Sequence, residues 1–222
     1  MSPDHGLHAA GCHVLPIPFD DGRLPGLLTA CSDFFSDHYG APAKPGALEA
    51  LIADISPGKR SRDVFLHGIF DGSRLIGLVL LIRNFLQRRQ WCLRTMLIVP
   101  ERRGSGLGGA VYQALSTWSK QQGAASMLVA VLEANSAALR FWQRLGFAEV
   151  RRQAFSGVGV AMDLVHPFCH IDVHHLARPG RILATQVERN RSAPFWSEPG
   201  AVPGTAVHDG RSGSDVPFRW CG

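Results

Sequence analysis

Apolar residues recur along this chain with the period of a strand in some segments and with the period of a helix in others. Alternating or continuous apolar runs predict seven strands, at residues 12–17, 62–70, 74–83, 94–99, 127–132, 147–152 and 157–165. Apolar spacings of three and four predict helices at residues 24–39, 48–55, 107–122 and 135–145. We therefore expect a mixed α/β domain with one buried core.

Local signals refine the order of the strands. Asp71-Gly72-Ser73 separates two strand-like runs and predicts a hairpin turn. The second arm, residues 74–83, is apolar on both faces, which predicts a central strand. Pro16 and Pro18 should restrict the first strand to an edge of the sheet.

The two ends of the chain lack these periods. We expect residues 1–11 to be a disordered N-terminus, residues 12–165 to form the domain, and residues 166–222, with six prolines and six glycines, to be a low-order tail. The tail contains a cluster of residues that bind zinc in other proteins: His166, Cys169, His170, Asp172, His174 and His175. A plain histidine-rich patch is the favoured interpretation, so no metal site is predicted.

A glycine-rich turn joins a predicted strand to a predicted helix. Pro100-Glu101-Arg102-Arg103 leads into Gly104-Ser105-Gly106-Leu107-Gly108-Gly109. The first turn of a helix leaves N–H groups without carbonyl partners, and the helix dipole adds partial positive charge there. Because glycine has no Cβ, a pyrophosphate can approach these N–H groups, and the two arginines can add charged donors. The pattern favours a phosphate site over a flexible surface turn, which stays as the alternative.

One known phosphate-binding pattern fits this turn only in part. The stretch matches the dinucleotide fingerprint G-x-G-x-x-G, and Glu133 ends the next predicted strand, where an acid could hold a ribose. However, residues 100–103 intervene between strand and glycines, and helices and a hairpin precede the motif. An NAD-dependent oxidoreductase is therefore the less favoured alternative.

A second pattern fits better. Residues 99–108, Val-Pro-Glu-Arg-Arg-Gly-Ser-Gly-Leu-Gly, resemble the acetyl-CoA motif of the GNAT superfamily of N-acetyltransferases, Arg/Gln-x-x-Gly-x-Gly/Ala. Residues 135–147, Asn-Ser-Ala-Ala-Leu-Arg-Phe-Trp-Gln-Arg-Leu-Gly-Phe, resemble its second motif, Asn-x-x-Ala-x-x-Phe/Leu-Tyr-x-x-x-Gly-Phe. The resemblance covers about residues 12–165. It implies the acetyltransferase (GNAT-like) fold, an α/β (α+β) domain with a mixed, mostly antiparallel central sheet flanked by helices.

The resemblance also implies roles for particular residues. The N–H groups of the turn would bind the CoA pyrophosphate, at Arg103, Gly104, Ser105, Gly106, Leu107 and Gly108. Ile98 and Val99 would offer main-chain groups to pantetheine, Asn135 would lie near the pantetheine arm, and Trp142 would lie close to the sulfur. Two simpler interpretations remain open, with Asn135 acting only as a helix N-cap and Trp142 only filling the core.

The implied reaction is transfer of an acetyl group from acetyl-CoA, as co-substrate, to a primary amine of a small molecule or peptide. Trp142 stands where the family has the tyrosine that protonates the departing thiolate, and an indole N–H is not a practical acid. Glu133 is the one named candidate for the base and His67 a weaker one, although an ordinary exposed carboxylate is favoured for Glu133. The catalytic residues therefore stay unknown. A CoA-binding sensor or interaction module that has lost catalysis is a further alternative.

Composition adds a few expectations about partners and location. Six arginines against one acid, Glu101, within residues 83–103 favour either an anionic ligand or a solvated basic face. Basic residues are not interleaved with aromatic ones, so nucleic acid is not expected as a partner. Five scattered cysteines, no secretory signal and a longest apolar run of eight residues predict a cytoplasmic protein without a membrane segment. A homodimer stays open, and the sequence does not identify the amine acceptor.

Overall fold

A computed structural model describes residues 6–39, 42–43, 46–47, 61–155 and 159–168. Within these ranges the chain forms one eight-stranded sheet, in the order β1-β2-β3-β4-β5-β6-β8-β7. The strands are β1 Leu7–Ala9, β2 Cys12–Pro16, β3 Val64–Asp71, β4 Arg74–Ile82, β5 Gln90–Ile98, β6 Ser126–Leu132, β7 Ala148–Phe155 and β8 Gly159–Pro167. Neighbouring strands are antiparallel except β5 and β6, which are parallel. The sheet is therefore mixed and mostly antiparallel, as predicted.

Helices flank this sheet. They are α1 Leu24–Ala30, α2 Ser32–Tyr39, α3 Leu107–Gln121 and α4 Ser136–Arg144, with short 3-10 turns at Ser61–Asp63 and Pro100–Arg102. Helix α3 packs on one face of the sheet, where the Trp118 ring lies edge-on to Phe65 and Trp91 with ring centroids 5.4 and 5.3 Å apart. Among the helices in the described part of the chain, none has the length and apolar character needed to cross a membrane.

The two central parallel strands separate along their length. β5 pairs with β6 only from Gln90 to Cys92, yet β5 continues along β4 to Ile98, and β6 continues along β8 to Leu132. Within β5 the register shifts, because Leu81 pairs with Leu93 and Leu80 pairs with Thr95. Such a bulge bends one strand relative to its neighbours. A gap therefore opens between β5 and β6 at the ends from which α3 and α4 follow.

The hairpin and the central strand are confirmed. β3 and β4 join through Gly72-Ser73, and β4 has neighbours on both sides in the middle of the sheet. Gly72 has a φ of +57°, a conformation that side chains with a Cβ rarely adopt. Burial of β4 on both faces of the sheet explains why residues 74–83 form a continuous apolar run.

The N-terminal predictions are wrong in two respects. Residues 7–9, predicted to be disordered, form β1 and pair with β2 through the turn Ala10-Gly11, in which both residues have positive φ. The strand beginning at Cys12 is consequently not an edge strand, since β1 and β3 lie on its two sides. Pro16 is tolerated because it is the last residue of β2.

Two further predictions differ from the structure. The helix predicted at residues 24–39 is two helices, because Cys31 adopts φ −99° and ψ 25° between them. The domain predicted to end at residue 165 extends at least to residue 168, since β8 reaches Pro167 and the Phe168 N–H donates to the Ala125 carbonyl at 2.8 Å. The helix predicted at 48–55 and the cluster of histidines at 170, 174 and 175 lie outside the described residues.

His67 should make the stability of the fold depend on pH. Its ring lies on β3 beneath Trp118 and is 4 % exposed, and burial lowers its pKa to about 4. An unfolded histidine takes up a proton near pH 6.5, so the folded state loses stability as pH falls from about 6.5 towards 4. The gap between these pKa values corresponds to about 3 kcal/mol in the free energy of unfolding.

Urea denaturation at pH 7, 5 and 4 measures this contribution. The variant His67→Leu should lose less stability than the wild type between pH 7 and pH 4. His13→Leu, which removes an exposed histidine of β2, should keep the pH dependence of the wild type. Equal pH dependence in wild type and His67→Leu would contradict the assignment.

Candidate functional site

The turn that precedes α3 depends on glycine at two positions. Gly104 has a φ of +72°, and Gly106, the N-cap of α3, has a φ of +84°. A residue with a Cβ is strained in this left-handed region. The Ser105 hydroxyl donates to the Arg102 carbonyl at 2.9 Å, which is a hydrogen bond within the turn. The turn thus reverses the chain between the end of β5 and the start of α3.

The start of α3 presents main-chain N–H groups that have no acceptor within the helix. The first helical hydrogen bond runs from the Ala110 N–H to the Gly106 carbonyl at 3.1 Å. Helix geometry therefore leaves the N–H groups of residues 106–109 without intrahelical partners. The helix dipole places partial positive charge at the same end, which favours a bound anion.

A cleft of about 490 Å³ lies beside this helix end. It is lined by residues of β5, the turn, α3 and α4: Met96, Ile98, Arg103, Gly104, Gly106, Gly108, Gly109, Phe141, Arg144 and Leu145. Gly108 lets α4 approach α3 closely, because a Cβ there would lie 3.3 Å from Phe141 Cζ, whereas a Cβ on Gly109 would make an ordinary contact at 3.9 Å with Leu145 Cδ2. The glycines therefore serve both the conformation of the turn and the width of the cleft.

β5 offers its main chain to the cleft at alternate residues. The Val99 N–H donates to the Ile76 carbonyl at 3.0 Å, and Ile98 opposes Gly77 in the same ladder. In an antiparallel ladder hydrogen-bonded pairs alternate with pairs that are not bonded to each other, so the main-chain groups of Ile98 and Met96 point away from β4 and towards the gap. The Val99 groups are engaged within the protein, since its carbonyl also accepts from the Arg102 N–H at 3.0 Å. Both main-chain groups of Val99 are therefore hydrogen-bonded within the protein, whereas the prediction has them bind pantetheine.

The two arginines before the glycine turn have partners within the fold. Arg102 forms an ion pair with Asp71, and its second terminal nitrogen lies 3.7 Å from Cys12 Sγ. Arg103 forms a two-pronged ion pair with Asp33 of α2, and its Nε donates to the Ile98 carbonyl at 2.7 Å. The Arg103 guanidinium also holds the pKa of the Asp33 carboxyl below its usual value.

These partners change the role expected for Arg103. Its N–H donates to the Pro100 carbonyl at 3.1 Å, so the main chain of Arg103 is engaged as well. The residue lines the cleft, but three of the five N–H groups of its guanidinium already donate to acceptors of the protein. The main-chain N–H that the prediction assigns to phosphate binding at Arg103 is therefore bonded within the protein, whereas Gly106, Leu107 and Gly108 lie at the start of α3 and Gly104 and Ser105 in the turn before it.

On α4, the two predicted residues have structural contacts. The Asn135 side chain accepts from the Ala138 N–H at 3.0 Å, which is N-cap geometry. Trp142 is 2 % exposed, and its ring lies 5.7 Å from Tyr112 and 5.1 Å from Phe147, centroid to centroid. The neighbouring Phe141, not Trp142, lines the cleft.

Of the two candidates for a catalytic base, Glu133 is in an ion pair and His67 is buried. Glu133 Oε1 accepts from Arg152 at 2.5 Å, and the carboxylate is about half exposed. His67 lies beneath Trp118 on the face packed against α3, and its Nδ1 has no hydrogen-bond partner among the described residues. Tyr112 donates to or accepts from His166 Nδ1 at 2.5 Å, and burial raises the pKa of this phenol. None of these groups lines the cleft among the residues the structure describes.

Sequence reasoning missed four lining residues that carry side chains, namely Met96, Phe141, Arg144 and Leu145. A usable signal was present on α4, because residues 141, 144 and 145 have the spacing of one helical face. Met96 follows from Ile98 by the two-residue period of a strand. The sequence motif drew attention to Trp142, which the helix turns towards the core.

Comparison with known proteins gives the following matches. A profile described as the acetyltransferase (GNAT) family matches residues 28–147. A search of curated proteins found no match.

Solved structures of similar fold include the following three. The ribosomal-protein-S18-alanine N-acetyltransferase from Escherichia coli is 15 % identical with a TM-score of 0.53, over 72 % of this chain and 96 % of that one. An aminoglycoside acetyltransferase in complex with coenzyme A is 13 % identical with a TM-score of 0.55, over 71 % and 95 %. A GNAT family acetyltransferase from Elizabethkingia anophelis with acetyl-CoA bound is 12 % identical with a TM-score of 0.52, over 72 % and 99 %.

Proposed function

Because this chain belongs to the acetyltransferase (GNAT) family, we propose that it is an acetyl-CoA-dependent N-acetyltransferase acting on a primary amine of a small molecule or peptide. Membership of the family supports acetyl transfer in general. The proposal adds that the acetyl donor is a CoA thioester and that the acceptor is an amine. The dinucleotide alternative loses support, since a doubly wound fold needs a parallel sheet and β5–β6 is the one parallel pair in the described part of this sheet.

The single observation that carries the proposal is the meeting of two features at one cleft. The N–H groups at the start of α3 suit a diphosphate, and the main-chain groups of Met96 and the N–H of Ile98 face the adjacent gap between β5 and β6, while the Ile98 carbonyl accepts from Arg103 Nε. A CoA thioester carries a diphosphate at one end and an amide-containing arm at the other. Phosphate at α3 and the arm along β5 would bring the acetyl group into the gap.

The chemistry asked of the protein is modest. The amine nitrogen attacks the thioester carbonyl carbon, the C–S bond breaks, and the thiolate takes a proton. An ammonium group of pKa about 10.4 must first lose a proton, which costs about 4 to 5 kcal/mol at pH 7. The main-chain N–H groups of β5 that face the gap are suited to stabilise the oxyanion, so positioning and polarisation are the expected contributions.

Proton transfer is the step for which the described residues offer the fewest candidate side chains. Trp142 replaces the tyrosine of the family motif and is buried in the core, so we assign thiolate protonation to water. The same observation favours a second candidate, a CoA-binding sensor or interaction module without turnover. The two candidates share the cleft and differ only in the reaction.

An amine-panel assay with thiol detection separates them. The panel contains peptides with a free N-terminal amine, polyamines, aminoglycosides and amino acids, each with acetyl-CoA. Acceptor-dependent release of thiol supports the transferase. Binding of CoA without thiol release for any amine favours the sensor, and a thermal shift with NAD but not with CoA would overturn both.

A further inference from the structure

We propose that Thr95 binds the acceptor amine, and that its hydroxyl oxygen accepts a hydrogen bond from the amine N–H as the amine attacks the thioester. The inference rests on the proposed function, because it takes acetyl-CoA and an amine as the ligands of the gap between β5 and β6. Thr95 precedes both sequence motifs, which begin at Val99 and Asn135.

The alternation of side chains along β5 places Thr95 on the face of the sheet opposite the cleft. Met96 and Ile98 line the cleft beside α3 and α4, and the register of β5 is regular from Thr95 to Ile98. Successive side chains of a strand point to opposite faces, so Thr95 points away from the cleft. With CoA in the cleft, an acceptor would reach the thioester from the face on which Thr95 lies.

Thr95 also lies at the level where β5 and β6 separate. The last pair between the two strands is Cys92 with Leu128, and the bulge in β5 lies just before Thr95. Among the residues that the structure describes, no strand pairs with β5 on the β6 side of Thr95. An arm that passes along Ile98 and Met96 would bring its acetyl group to this level of the gap.

The hydroxyl of Thr95 is a buried polar group that lacks a hydrogen bond. The residue is 1 % exposed, so bulk water does not supply a partner, and its Oγ1 makes no hydrogen bond within the described part of the chain. Such burial destabilises a fold, and valine would have nearly the same shape without that cost. A ligand in the gap would supply the missing partner.

An attacking amine needs a hydrogen-bond acceptor at this place. Its lone pair must point at the thioester carbon, which leaves its N–H groups to be bonded elsewhere. The main-chain N–H groups of β5 that face the gap are donors, and they suit the carbonyl oxygen of the thioester. The Thr95 oxygen has lone pairs that can accept from the amine N–H. Thr95 forms no covalent bond and takes no proton, so it orients the nucleophile and leaves the proton balance unchanged.

Steady-state kinetics of the full chain with acetyl-CoA and glycylglycine, spermidine, kanamycin or lysine test the proposal. For the amine that the wild type acetylates fastest, Thr95→Val should lower kcat/KM about 10-fold, the loss of one hydrogen bond, and leave the KM for acetyl-CoA unchanged. The urea midpoint of Thr95→Val should equal or exceed that of the wild type, because the unpartnered hydroxyl is gone. Thr95→Ser keeps the hydroxyl and should keep most of the activity, although loss of the methyl group lowers its urea midpoint.

Thr117→Val is the matched control, because it makes the same substitution at an exposed position of α3, and it should keep the kcat/KM of the wild type. The role of Thr95 would be overturned by equal kcat/KM in wild type and Thr95→Val, or by an equal loss in Thr117→Val. A loss of activity in Thr95→Val that a lower urea midpoint accompanies would also overturn it. A wild type that binds CoA and releases no thiol with any of these amines would instead overturn the proposed transferase, and the inference with it.

Discussion

Replacing Gly108 with valine should weaken acetyl-CoA binding about 1000-fold, or about 4 kcal/mol, while the protein stays folded. A Cβ at this position would lie 3.3 Å from Phe141 Cζ and 3.6 Å from Ile98 Cδ1. The valine methyl groups would then enter the space between α3 and α4 that the ligand needs. Titration of the variant with acetyl-CoA measures the affinity, and urea denaturation measures the free energy of unfolding.

Gln113→Val is the matched control because it places the same side chain at an exposed position of the same helix. It should bind acetyl-CoA as the wild type does. Unchanged affinity in Gly108→Val would show that acetyl-CoA binds elsewhere.

The structure explains why Gly108 is a cleaner test than Gly106. The sequence motif alone suggests Gly106→Val, which would crowd the phosphate. Gly106 has a φ of +84°, and a Cβ there meets no atom within 4 Å. Valine at Gly106 would therefore strain the turn before touching the cleft wall, and lost binding would not separate strain from crowding. At Gly108 the backbone is helical, so the effect comes from the side chain.

Much of the fold follows from local patterns. The apolar run of residues 74–83 predicted a central strand, and the turn at Gly72 predicted its hairpin, because burial and turn geometry act over a few residues. The start of α3 at Leu107 and the N-cap at Asn135 also agree with the sequence. These features depend on neighbours in the chain, which a sequence displays directly.

The elements that were missed depend on distant partners. β1 has only three residues, too few to show a period, and it is held by pairing with β2 and by its position beside α3. His166 was assigned to the tail, but it pairs with Tyr112, 54 residues earlier in the chain. Short elements fixed by tertiary contacts leave no pattern of their own.

The candidate site shows the same division. The glycines at positions 104, 106 and 108 could be interpreted from sequence, because helix starts and left-handed turns are local. The pairing of Arg103 with Asp33 joins residues 70 apart, and no local pattern indicates it. Sequence therefore indicated the N–H groups at the start of α3, while the distribution of charge around them needed the structure.

Replacing Trp142 with alanine should lower the free energy of unfolding by about 4 kcal/mol, the range for removing a large aromatic side chain from a core. The indole is 2 % exposed and packs edge-on against Tyr112 and Phe147. Phe141→Ala, at the neighbouring residue that lines the cleft, should lower stability less and acetyl-CoA affinity more.

Trp142→Tyr tests the position in a second way, since it restores the family tyrosine. With the side chain turned towards the core, the phenol should not reach the departing thiolate, and the rate of thiol release should not rise. A loss of stability below about 1 kcal/mol in Trp142→Ala, together with a tenfold higher rate in Trp142→Tyr, would mean that residue 142 faces the thioester. The burial of Trp142 therefore gives residue 142 no part in protonating the leaving group of the proposed reaction.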